Sequence, residues 1–101
     1  MLLAAAEPLP TIQPVEGSAT FRVRCLIDAH TPMRVLALFA QQERVPSRVV
    51  IRRGVNWLLM FVRQDDIDAH RAEVIAAKIG SLVAVMDVQH SFNELANQTE
   101  A

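Results

Sequence analysis

Trp57 to Val62 is an unbroken apolar run of strand length, and it carries large side chains on both alternating faces. Trp57, Leu59 and Phe61 would point to one side of a strand, and Leu58, Met60 and Val62 to the other. A strand of this kind belongs inside a sheet, with one face under helices and the other in need of its own cover. The chain around it must therefore supply neighbouring strands, a helical layer and something for the second face.

The flanking sequence supplies the strands and helices. Phe21, Val23, Cys25 and Ile27 alternate with Arg22, Arg24 and Leu26, the period of a half-buried strand beginning at Thr20. Thr31-Pro32 offers a hydroxyl cap followed by proline at the first helical position, and the helix predicted there ends near Gln42. After Pro46, Arg48 to Arg53 alternates again, with Val49 and Ile51 on one face. Gly54-Val55 predicts a tight hairpin into the apolar run. Asp65 and Asp66 predict the cap of a second helix, with Lys78 near its end and Gly80 as its terminator. Leu82 to Val88 predicts a last strand, and Ser91 to Glu94 has the spacing of a capping box that starts one more helical turn.

The order is β-α-β-β-α-β, with both crossovers long enough for right-handed connections. That predicts an α+β, ferredoxin-like sandwich: a four-stranded antiparallel sheet with two helices on one face, its first and third strands central. Residues 1–19, with Pro8, Pro10, Pro14 and Gly17, are expected to be a flexible N-terminal arm. Residues 20–90 form the domain, and 91–101 a C-terminal tail.

A chain of 101 residues supports one core. The net charge of −1 gives no general attraction to nucleic acid or to an anionic membrane. Charge is segregated, however. Residues 20–64 hold eight arginines against Asp28 and Glu43, whereas residues from Asp65 onward hold seven acids against Arg71 and Lys78. The arginines on the second strand can guard an edge against aggregation, or meet an acidic partner surface. Met1 to Ala6 is too short for a secretory core and lacks a basic start, so neither export nor a membrane span is expected. Cys25 is alone, which suits a reducing cytoplasm. The doubly apolar third and fourth strands predict more apolar sheet surface than two helices can cover. A second copy of the chain is the simplest cover, the arm or tail folding back the alternative.

No catalytic constellation emerges. His30, His70 and His90 are scattered over a loop, a helix and a strand end, without metal-site spacing. Cys25 faces the core side of its strand, and no glycine-rich phosphate loop or nucleophile elbow occurs. No enzyme activity, metal or cofactor is expected. The topology is also that of RNA-recognition motifs, and Arg53-Gly54 before Trp57 and Phe61 loosely echoes their basic-glycine-aromatic box. The spacing differs and the domain is not basic, so an RNA- or protein-binding module is the alternative function, and no nucleic acid is the expected partner.

The segment Leu26 to Phe39 (LIDAHTPMRVLALF) resembles the first strand, loop and helix of an ACT domain, and within that family the small regulatory subunits of acetolactate synthase. Ile79 to Val88 (IGSLVAVMDV) resembles the closing segment of the same family, where a KLVDV-type run is usual. The resemblance covers residues 20–90. It implies a regulatory module that pairs through edge strands and first helices and binds an amino acid at the seam. It further implies activation of a separate catalytic subunit, a thiamine-diphosphate enzyme, with feedback by a branched-chain amino acid. The family's ligand loop falls on Asp28, Ala29, His30, Thr31 and Pro32. Asp28 matches its acidic position, while His30 and Thr31 stand where a glycine is usual, and Arg44 replaces the glycine that commonly ends the first helix.

Overall fold

The computed structural model describes residues 16–94. Its elements are β1 (Glu16–Cys25), α1 (His30–Gln41), β2 (Arg48–Arg53), β3 (Leu58–Asp68), α2 (Ala69–Gly80) and β4 (Val85–Glu94). All strand pairs are antiparallel and the sheet order is β2-β3-β1-β4, so β1 and β3 are central. The expected βαββαβ sandwich is the fold. The body of the expected arm, residues 1–15, and the last part of the tail, 95–101, lie outside the described residues.

Alternation decides which residues meet the helices. Ala19, Phe21, Val23 and Cys25 of β1 and Leu58, Met60 and Val62 of β3 are buried on one face. Val35 and Phe39 of α1 and Ala72, Ile75 and Ile79 of α2 close over them at helical spacing. Phe21 and Phe39 meet edge to face with ring centres 5.3 Å apart, which locks α1 onto the central strand.

Both central strands outrun their expected ends, for one shared reason. β1 starts at Glu16, four residues before Thr20, and so offers pairing partners to the far ends of β3 and β4. Asp65 and Ile67 pair with Ser18 and Gly17, leaving Asp66 as the extra residue of a bulge. Its φ of 57° is left-handed, and the shift in phase returns Ile67 to the core. The expected caps Asp65 and Asp66 are therefore strand residues. Asp68 caps α2 instead, accepting the Arg71 N–H at 2.7 Å. Ser91 to Glu94 likewise pairs with Thr20 to Gly17 and is strand, where the sequence predicted a helical turn. Gly17 is buried at this crossing, and any Cβ there would overlap the Asn93 carbonyl.

Helix ends also differ in detail. α1 terminates in a Schellman pair: the Glu43 N–H donates to the Ala40 carbonyl and the Arg44 N–H to the Phe39 carbonyl, each at 2.9 Å. The left-handed residue is Glu43, with φ 57°, one position before the arginine expected there. Neither Gly54 nor Gly80 takes a positive φ. The β2–β3 connection is the four-residue stretch 54–57, closed by the Gly54 N–H on the Trp57 carbonyl. Gly80 is simply the last residue of α2.

Candidate functional site

Asp28, Ala29, His30, Thr31 and Pro32 form one continuous feature, the β1–α1 connection and the first turn of α1. Asp28 performs the capping that the sequence assigned to Thr31. Its Oδ2 accepts the Thr31 N–H at 3.1 Å and the Thr31 hydroxyl at 2.6 Å. The Thr31 hydroxyl is the main cause that holds the Asp28 carboxyl below its ordinary value, aided by backbone N–H groups of His30 and Thr31. Thr31 and Pro32 are buried, while Ala29 and His30 are exposed. The loop is thus a rigid corner whose solvent face is Ala29 and His30, with Asp28 half-buried behind them. Leu26, Ile27, Met33, Val83 and Met86 are exposed around the same end of the sheet. The β1 strand ends there as the Leu26 N–H donates to the Ala84 carbonyl.

The sheet face away from the helices corrects the expectation of a broad apolar flank. Its residues lie in three cross-strand rows. The first runs Arg48, Arg63, Thr20 and Ser91; the second Val50, Phe61, Arg22 and Gln89; the third Arg52, Leu59, Arg24 and Asp87. Only Val50, Leu59 and Phe61 are apolar in these rows, and arginines stand beside them in the same rows. The Arg22 guanidinium sits 5.9 Å from the centre of the Phe61 ring. Leu82 to Ala84, expected to extend the apolar surface of β4, precede that strand. Trp57 lies in the hairpin with Arg24 at 5.1 Å from its ring centre. Leu59 and Phe61 do share one side of β3, but the polar alternation of β1 and the phase of β4 outweigh them.

The incompletely covered surface is on the helix side. Val49 and Ile51 of β2 face the helical layer yet remain 39% and 47% exposed, because the two helices close over β1 and β3 and stop short of this edge. Val45, which leads into β2, is also exposed.

The box required for base stacking lacks its partner on β1, whose aromatic, Phe21, is fully buried. Among the described residues no three His, Cys, Asp or Glu side chains are grouped closely enough to hold a metal ion, and no helix is long and apolar enough to cross a membrane. Burial, followed by the nearby Asp28 charge, pushes the Cys25 thiol up, the opposite of an activated nucleophile.

The family model of the ACT-like domain matches residues 14–97. The chain belongs to the ACT-like domain family. Solved structures agree on the fold. The ACT domain from a GTP pyrophosphokinase of Chlorobium tepidum superposes with a TM-score of 0.66 at 8% identity, over 75% of this chain and 99% of that one. The C-terminal domain of the MgtC protein from Mycobacterium tuberculosis gives 0.62 at 15% identity, over 83% and 95%. A homoserine dehydrogenase from Thiobacillus denitrificans gives 0.67 at 16%, over 87% of this chain but 20% of that much longer one. Among curated proteins there is no match. At these identities the neighbours of this ACT-like domain speak to its fold alone.

Proposed function

We propose that this ACT-like domain is a non-catalytic regulatory module that pairs with a second copy along β2 and acts on a separate catalytic chain. The bare helix-side row of β2 carries this reading. Val49 and Ile51 stand half uncovered beside a strand edge whose outward backbone groups have no sheet neighbour among the described residues. A two-fold copy would extend the sheet to eight strands and bury both apolar rows against each other.

The β1–α1 corner is the proposed amino-acid site, formed by Asp28, Ala29, His30, Thr31 and Pro32 at the seam between copies. Asp28, with its lowered pKa, would hold the ligand's ammonium group. The resemblance of Leu26 to Phe39 to acetolactate-synthase small subunits supports a thiamine-diphosphate large subunit as the catalytic partner, in the cytoplasm. Two measurements test this. Adding the chain to such a large subunit should raise its activity, and no change contradicts the activating role. Calorimetric titration with valine, leucine and isoleucine should give heat with at least one, and silence for all three contradicts the sensing role.

A further inference from the structure

The arginines of the open sheet face are not explained by guarding an edge. Edge protection accounts for charge on β2, but Arg63 and Arg22 lie on the central strands. Arg48 and Arg63 are directly opposite across the β2–β3 ladder, a like-charge placement that costs stability. Arg63 is engaged by Asp65 at 3.1 Å and Arg24 by Asp87. Among the described residues no carboxylate lies within ion-pair distance of Arg22, Arg48 or Arg52.

Arg48 and Arg52, with Arg63, border a hollow of about 430 Å³ that is also lined by Thr20, Val50, Phe61 and Val62. Its size is that of a small-molecule site, and its composition is an apolar floor with convergent polar groups. Guanidinium forks match phosphate oxygens bidentately, and the half-buried Phe61 ring beside them offers an apolar surface to a planar heterocycle. A compact ring of charge around one hollow fits a small polyanion better than an extended acidic peptide.

We propose that this hollow binds an organic polyphosphate, a nucleoside di- or triphosphate in chemical class. Arg48, Arg52 and Arg63 hold the phosphates, and the base lies against Phe61 and Val50. The site is on the sheet face opposite the helices, on residues other than those of the amino-acid corner.

Calorimetric titration of the full chain with ATP, inorganic triphosphate, adenosine, oligothymidylate and polyglutamate tests it. The expected order is ATP tightest, triphosphate weaker and adenosine without detectable heat. Arg48→Gln and Arg52→Gln each weaken ATP by about tenfold, the worth of a charge-assisted hydrogen bond. Arg53→Gln, on the other face of β2, leaves ATP binding unchanged. Phe61→Leu brings ATP down to the affinity of triphosphate, and thermal melts confirm that each variant folds. The proposal is overturned if ATP gives no heat at low salt, if triphosphate binds as well as ATP, or if Arg53→Gln weakens ATP as much as Arg48→Gln. Tighter binding of oligothymidylate or polyglutamate than of ATP also overturns it, assigning the face to a macromolecule.

Discussion

The Asp28 carboxylate holds Thr31 twice, through the backbone N–H and through the side-chain hydroxyl, both at Oδ2. One acidic side chain thus fixes both the turn out of β1 and the first turn of α1. Because the pKa of Asp28 is lowered on folding, its contribution is complete above the ordinary carboxylate value near 3.8 and is lost as pH falls through the lower folded value. Asp65 is lowered in the same direction by Arg63 and then Ser47. Asp28→Asn should therefore melt lower than the parent at neutral pH, with the difference shrinking in strong acid. Melts followed by circular dichroism across that range check it, and a gap that widens in acid contradicts it.

Glu43 occupies the left-handed position that closes α1. A residue with a Cβ pays about 1 kcal/mol there relative to glycine. Glu43→Gly should raise stability by about that amount, since the Schellman hydrogen bonds at Ala40 and Phe39 are kept. Urea unfolding measures the difference, and a loss of stability would contradict the assignment.

Gly17 tells the reverse story. A methyl group there would enter the Asn93 carbonyl, so Gly17→Ala must push β4 off β1 at its end. A cost of about 1–3 kcal/mol is expected for such overpacking. Hydrogen exchange should show the loss at Phe92 to Glu94, while β2 and β3 stay protected.

Cys25 is fully buried and its thiol is held protonated by burial and by Asp28. An aromatic disulfide reagent should find no reactive thiol in the native protein and one per chain in denaturant. Rapid native labelling would contradict the packing of β1.

Much of this was legible in the amino-acid sequence, because period-2 and period-3.6 patterns report burial directly. Phe21 and Val23 are buried on the face where alternation places them with Cys25, Leu58, Met60 and Val62 share one side of β3 as alternation predicts, and the element order leads to the sheet order. What was not legible depends on pairing between distant segments. Ser18 looked like part of a proline-bearing arm until β3 and β4 supplied partners for it. Asp65 and Asp66 carry a helix-cap signal that a bulge overrides. The polarity of the open face does not follow from β3 alone, since the arginines of β1 and β2 come beside Phe61 only through strand register. The candidate loop comes from the resemblance of Leu26 to Phe39, and Asp28's grip on Thr31 is a side-chain choice that spacing does not reveal.

The claim on which the functional account rests is that β2, with Val49 and Ile51 uncovered, is where two copies meet. Sedimentation equilibrium of the full chain and of Ile51→Asp, across the micromolar range, measures this most directly. The account predicts a dimer for the parent and a folded monomer for the variant. A parent that stays monomeric throughout, or a variant that dimerises as tightly as the parent, would contradict it.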